Sequence, residues 1–336
     1  MADISGPDTP NALSALVARP LSKDDVPAWL ELEQAVEQVD RTGHHVDAED
    51  LAEELADPKL DTESDTLGLW DGTRLVAFAT VHTPHGAVDA ARFDGGAAVH
   101  PDWRRRGLGA GLVDWMGGRA TALHTEHEEL AGLPGELMIG GKAKDDSLRI
   151  LAEHRGFTPV RWWFEMTHPL RSDRPEPRPA PDGTRIVPFD DSYDEATRLA
   201  HNDAFRDHWN FTALDPTDWH TWVTGARSFR PAMSRLLVAG DEVGAYLLAE
   251  ENEADTAASG KRDCHVGYLA TRRDYRGRGA APALLADALQ GALDAGYDTA
   301  SLTVDTVNPS GALGLYEKSG FVVDREFVTY ARPLTV

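Results

Sequence analysis

Only one of the 336 residues is a cysteine, Cys264. A lone thiol closes no intramolecular disulfide and rules out a cysteine-rich metal site; no metal is expected. No segment approaches the roughly 18 uninterrupted apolar residues that a membrane-spanning helix needs. The opening "MADISGPDTPNALSALVARP" lacks the basic start of a secretory signal, and its apolar stretch is short and interrupted, so a cytoplasmic protein is expected. Low-complexity tracts are absent. Basic residues are scarce, with 33 Lys and Arg against 56 Asp and Glu, a formal charge of −23. Such a surface repels nucleic acid and anionic membranes, and neither is expected as a partner. The acidity either serves solubility or draws in a cationic small molecule.

The length suits two domains of about 150 residues. Between His168 and Pro188 the segment "HPLRSDRPEPRPAPDGTRIVP" carries prolines at 169, 175, 177, 179, 181 and 188 and favours extended, ladder-free backbone, which makes it a semi-rigid linker. The expected division is a first domain over 1–170, a linker over 171–182 and a second domain over 183–336. Both halves follow one order. A short strand (Leu13 to Arg19; "TRIVPF") precedes two helices, "DDVPAWLELEQAVEQ" and "DAEDLAEEL" in the first half, "DSYDEATRLAHNDAF" and "DPTDWHTWV" in the second. Three strands follow, with turns at Asp71-Gly72 and Asp241-Glu242. Each half then has a glycine-rich turn, a helix, a strand, a helix, Gly-Phe and a last strand. The turns "WRRRGLGAGLV" (Trp103 to Val113) and "YRGRGAAPALL" (Tyr275 to Leu285) lie 172 positions apart, and the ends "RGFTPVRWWFEMTHPL" and "SGFVVDREFVTYARPL" lie 164 apart. A repeat this long is a duplicated α/β domain, not a solenoid.

A turn of the form Arg-x-x-Gly-x-Gly/Ala between a strand and a helix lets backbone approach a ligand closely, with several N–H groups and the positive helix end aimed at one spot. A pyrophosphate fits there. Neither turn ends in the Gly-Lys-Ser/Thr of a P-loop. Both follow the fourth expected strand, whereas a dinucleotide fold places its glycines after the first.

With "LATRRDYRGRGAAPALL" followed by "NPSGALGLYEKSGF", the chain resembles the GCN5-related N-acetyltransferase (GNAT) superfamily over nearly its whole length, as two tandem copies similar in layout to mycothiol synthases and related two-domain acetyltransferases. The resemblance implies an α/β (α+β) fold in each half, with a mixed, mostly antiparallel central sheet flanked by helices. It implies acetyl-CoA as donor and a small-molecule amine as acceptor. By position, Arg276, Gly277, Arg278, Gly279, Ala280 and Ala281 would hold the pyrophosphate, the edge of Leu269, Ala270 and Thr271 the pantetheine, and Asn308 the cofactor arm. Tyr316 would stand near the thioester sulfur, where a phenol of pKa near 10 can reprotonate a leaving thiolate whose thiol lies near 8.5. A base is needed as well. His265 occupies the strand position where the family often has Glu, with Asp263 and the Glu250-Glu251 pair as rivals and a water relay as a further route.

In the first half Val99, Arg104, Arg105, Arg106, Gly107, Leu108 and Gly109 repeat the cofactor turn, but Ala152 falls opposite Tyr316 and Lys144 opposite Asn308. The first domain is therefore expected to bind acetyl-CoA with little or no transfer. Acceptor binding is expected from His208 and Trp209, beside Asp203 and Asp207, together with Glu250, because aromatic faces and carboxylates suit an ammonium; ordinary core aromatics at a helix end are the competing reading. His44 and His45 hold the comparable place in the first half. A monomer or homodimer is expected, and a non-catalytic acyl-CoA sensor is the alternative from another class.

Overall fold

The computed structural model describes residues 16–84, 87–206, 208–209, 211–307 and 311–335. The chain divides into two units: Met1–Val160 with Thr329–Val336, and Arg161–Val328. The division runs through two strands and not through the proline-rich segment 171–182, so each unit takes its last strand from the other half of the sequence.

The first unit contains β1 (Val17–Arg19), β2 (Thr66–Asp71), β3 (Arg74–Thr80), β4 (Ala91–Phe93), β5 (Ala97–Val99) and β6 (Gly135–Lys142), with α1 (Val26–Asp40), α2 (Ala48–Glu54), α3 (Thr62–Asp65), α4 (Leu108–Glu126) and α5 (Asp146–His154). Strands β1, β2, β3 and β5 form an antiparallel sheet in that order. The run expected to be one fourth strand is broken. Its first part, β4, pairs in parallel with β6, and its second, β5, pairs with β3. The cause is Gly95 between them, where a Cβ would lie 1.9 Å from the carbonyl oxygen of Thr80. The chain's last residues close the unit, Leu334 N donating to Gly135 O at 2.8 Å. Trp29 and Leu32 of α1 pack with Leu51, Trp70, Leu75 and Phe78 into the core beneath the sheet.

The second unit contains most of β7 (Thr158–His168), then β8 (Arg185–Pro188), β9 (Arg235–Ala239), β10 (Glu242–Glu250), β11 (Asp263–Thr271), β12 (Thr299–Asp305) and the start of β13 (Val322–Pro333). Its helices are α6 (Asp194–Phe205), α7 (Pro216–Trp219), α8 (Glu253–Ser259), α9 (Ala280–Asp294) and α10 (Ala312–Lys318). The strands run β7-β12-β11-β10-β9-β8, antiparallel except for β11 with β12. The sequence "EVGAYLLAE" is apolar on both faces because β10 is covered on both. On one side α9 lays Ala283, Leu284, Ala288, Leu289 and Ala292, which recur at three- and four-residue steps along one face, against Leu247, Ala249, Cys264 and Val266. On the other, Trp219, Ala200 and Phe189 cover Tyr246 and Leu248.

The hairpin turns fall one residue from their expected places, at Gly72-Thr73 and Gly240-Asp241. Both first positions have φ +60, a left-handed conformation that glycine enters without cost. Of the first expected strand, residues 13–15 lie outside the described region.

Candidate active site

The two glycine turns share one backbone. Positive φ occurs two residues apart in each, at Arg105 (64°) and Gly107 (88°) in the first and at Gly277 (72°) and Gly279 (88°) in the second. Gly107 and Gly279 are the N-caps of α4 and α9, neither with a side-chain cap. No heavy atom lies within 4 Å of where a Cβ would stand on Gly107, Gly277 or Gly279. Uncapped N–H groups under open space are what an anion requires. Pro282 removes one donor from the second turn, while the first places an arginine in the left-handed region where the second has glycine. Gly109, by contrast, has no unusual φ, and a Cβ there would meet only Leu151 at 3.8 Å.

The leading arginines have a structural task. Arg276 Nε donates to Thr271 O at 3.1 Å and Nη2 to Ala204 O at 3.1 Å. Arg104 Nε donates to Val99 O at 3.0 Å, and both its terminal nitrogens donate to Asp40, at 2.6 and 2.8 Å. Each guanidinium thus ties the turn to the preceding strand end and to the first long helix of its unit. Arg106 and Arg278 lie over Trp103 and Tyr275, at 4.7 and 5.8 Å from the ring centroids. Backbone N–H groups, including those of Leu108 (buried) and of Ala280 and Ala281, are left to face a phosphate.

Beside the second turn the sheet opens. The pairing of β11 with β12 ends at Val266 with Leu302, although β11 continues to Thr271 and β12 to Asp305. On its other edge β11 stays paired through Leu269, Ala270 and Thr271. A wedge therefore separates the two strands, edged by backbone that an amide-bearing chain can pair with. Its origin is a bulge: the β10–β11 register shifts between Leu248 and Ala249, which leaves Gly267 opposite no residue. A Cβ on Gly267 would stand 2.2 Å from Glu250 Oε1, so the glycine makes room for that carboxyl.

The shift also sets which side chains share a face. His265 and Tyr268 come to the same face as Glu250, and Ser301 lies opposite His265. His265 Nδ1 is 2.8 Å from Ser301 Oγ. Ser301 in turn donates to Asp263 Oδ2, and Thr299 Oγ1 donates to Asp263 Oδ1 at 2.5 Å. Burial raises the pKa of Glu250 and the neighbouring His265 opposes the rise. Burial, with Glu250 adding to it, lifts Tyr268 to about 12. Glu251 does not compete for the site. It accepts from Arg262 (2.9 and 3.0 Å), Arg230 (3.2 Å) and Tyr297 (2.6 Å), contacts that hold it down to about 2 against the opposing effect of burial.

Tyr316 lies on the opposite side of the sheet, on α10, buried in the core with Phe321 6.0 Å away ring to ring. Burial pushes its hydroxyl up to about 12, and it makes no hydrogen bond to any described residue. Asn308 falls outside the described residues, as does Asp207. Cys264 is buried and raised to about 12, chiefly by burial, which makes its thiol inert at neutral pH.

His208 and Trp209 gather near the end of β12. Burial lowers the pKa of His208 while Asp305 opposes it. Arg161 lies 4.7 Å over the Trp209 ring and reaches Asp305 at 3.5 Å, with Trp163 6.3 Å from Trp209. The indole face expected to receive an ammonium thus already carries a guanidinium. Asp203 pairs with Arg206 and Arg272 and serves the scaffold. Sequence reading did not single out Ser301, Asp305 or Gly267. For Ser301 and Asp305 the signal was present in "TASLTVD", whose polar residues at every second position mark one face of β12.

Residues 194–321 match the Acetyltransferase (GNAT) family. The second unit is a GNAT domain. The chain is 28% identical over 240 residues to a mycothiol acetyltransferase of Salinispora tropica, covering 69% of this chain and 71% of that one. It is 28% identical over 252 residues to another from Parafrankia sp., covering 70% and 74%. Among solved structures, the GCN5-related N-acetyltransferase from Sphaerobacter thermophilus superposes with a TM-score of 0.72 over 97% of both chains at 24% identity. A tandem GNAT protein from the clavulanic acid biosynthesis pathway superposes at 0.70 over 96% of this chain and 99% of its own at 17% identity. The fold is thus that of two tandem acyl-CoA N-acyltransferase domains, and the chain is similar to mycothiol acetyltransferases. Acetyl-CoA is the donor that the GNAT family uses.

The first unit repeats the GNAT backbone without the polar groups. Phe157 N donates to Ala152 O, as Phe321 N donates to Tyr316 O, which sets Ala152 in the place of the tyrosine. Ala91 pairs with Gly135 and Phe93 with Leu137, as Asp263 pairs with Thr299 and His265 with Ser301. Aspartate, threonine, histidine and serine are thus replaced together by Ala91, Gly135, Phe93 and Leu137.

Proposed function

We propose that the second unit transfers an acetyl group from acetyl-CoA to a primary amine of a small molecule, and that the first unit keeps a cofactor-binding turn without catalysing. The observation that carries this is the wedge between β11 and β12. It opens between an uncapped helix N-terminus on one side and the polar group of His265, Glu250 and Ser301 on the other. Bound acetyl-CoA would supply an activated acyl thioester, with its pyrophosphate on the N–H groups around Gly277, Gly279 and Ala281 and its pantetheine along Leu269 to Thr271. Asn308 would hold the arm.

The chain's own residues move protons. An amine is mostly protonated at neutral pH, and His265 takes its proton so that nitrogen can attack. Tyr316, held protonated by burial, donates from Oη to the departing sulfur, and the second proton that the nitrogen sheds as the amide forms restores the phenol. Glu250, across from His265, offers an acceptor ammonium one hydrogen-bond acceptor that a buried apolar wall would not.

A thiol-release assay with a panel of primary amines tests the proposal. Turnover on at least one amine, lost in Tyr316→Phe, is the expected result. Binding of acetyl-CoA without turnover on any amine would favour the sensor. The two bacterial relatives favour a second reading, in which the acceptor belongs to mycothiol formation; an antibiotic amine in the same panel tests a self-resistance role.

A further inference from the structure

We propose that Asp263 and Ser301 are positioning residues that fix the neutral ring of His265 as the Nδ1–H tautomer, leaving the lone pair on Nε2. The proposal rests on the assignment of His265 as the base and adds how that base is prepared.

The argument is a count of protons. A serine hydroxyl has one hydrogen to give. Ser301 stands between two groups, Asp263 Oδ2 and His265 Nδ1, the latter 2.8 Å away. A carboxylate only accepts, so the hydroxyl hydrogen goes to Asp263 and Ser301 is left as an acceptor. Nδ1 must then carry the ring proton. Asp263 cannot rotate away from this duty, because Thr299 Oγ1 fills its other oxygen at 2.5 Å. The register places all four residues on the paired stretch, Asp263 with Thr299 on its first rung and His265 with Ser301 one rung before the strands part. The relay therefore sits on paired, rigid backbone at the root of the wedge.

When Nε2 takes a proton from the acceptor ammonium, the ring becomes imidazolium. Its Nδ1–H stays on Ser301, and the charge of Asp263 faces it through that hydroxyl. Among the described residues, Glu250 of β10 is a further titratable group that lies across from the ring, its pKa raised by burial. The first unit gives an internal comparison: where Tyr316 is replaced by Ala152, every member of the relay is apolar or glycine.

The test is nitrogen-15 NMR of the full chain with labelled histidines, at a pH where the ring is neutral, with Ser301→Ala, Ser301→Thr and Asp263→Asn. No ligand is needed. The wild type should show Nδ1 as the protonated nitrogen of His265, Ser301→Ala should lose that preference, and Ser301→Thr, which keeps the hydroxyl, should restore it. Asp263→Asn guards against a folding defect in Ser301→Ala, and it too should lose the preference. Unchanged acetyl-CoA affinity by calorimetry confirms that each variant is folded. A wild-type ring protonated on Nε2, or a preference that survives both Ser301→Ala and Asp263→Asn, overturns the proposal. If the preference behaves as expected while His265→Gln keeps full turnover in the amine panel, the tautomer control stands and the base assignment falls.

Discussion

At the scale of single residues, Tyr316 and His201 show burial tuning protons in opposite senses. The Tyr316 hydroxyl, pushed by burial to near 12, holds its proton throughout the working range. Tyr316→Phe should lower kcat by about a hundredfold or more, the usual worth of a positioned acid, while acetyl-CoA affinity by calorimetry changes little. His201 is buried against Phe205, Trp219, Tyr246 and Tyr268 and shares a 2.7 Å hydrogen bond with the Tyr246 hydroxyl. Burial lowers it to about 4. An unfolded histidine titrates near 6.5, so the unfolded state gains protons that the fold refuses. Stability present above 6.5 is lost as pH falls towards 4, by up to about 3 kcal/mol from this group. Thermal melts between pH 8 and pH 4.5 should show that slope, and His201→Gln should flatten it.

Tyr316 and the glycines were legible in the sequence because a local motif carries them. Ser301, Asp263 and Thr299 were not legible as a set, because what joins them is the register of two strands some 36 residues apart. Gly267 belongs to the same class. Its importance lies in one missing methyl group beside Glu250, and Gly267→Ala should leave a folded protein that binds acetyl-CoA but needs more amine, a rise in KM for the acceptor.

At the scale of elements, the strand-turn-helix unit was read correctly in kind and incompletely in detail. The spacing of Arg276, Gly279 and Ala281 pointed to a turn opening a helix, and α9 begins at Ala280. Nothing in "RRRG" announces that Arg105 adopts φ 64°, a conformation that costs a residue with a Cβ about 1 kcal/mol or more. The backbone of the turn is therefore held by its surroundings, the ties from Arg104 to Val99 and Asp40 among them. Asp40→Ala should lower the melting temperature of the protein and leave turnover in place. Gly279→Ala should cost about 1 kcal/mol from its φ of 88°, and its methyl group would stand in the space above the turn, so acetyl-CoA affinity should fall as well.

At the scale of the molecule, duplication was evident from the paired offsets, and the family match over 194–321 falls on the half that keeps its polar groups. The inequality of the halves gives a direct comparison. Gly107→Glu should spare turnover, whereas Gly279→Glu should abolish it. The exchange of last strands was hidden, because β7 and β13 have the same position in their own halves and the sequence does not say which sheet each joins. A chain limited to 183–336 would expose the edge of β12 that Thr167, Met166 and Phe164 now occupy, and it should aggregate more readily than the full chain.

The same exchange sets an order of events during synthesis. The second unit has all its residues once position 328 has left the ribosome, whereas the first, though translated earlier, waits for residues 329–336 to close against β6. The usual rule that the leading domain folds first therefore fails for the first unit: though translated first, it lacks part of its sheet until the second unit has been made.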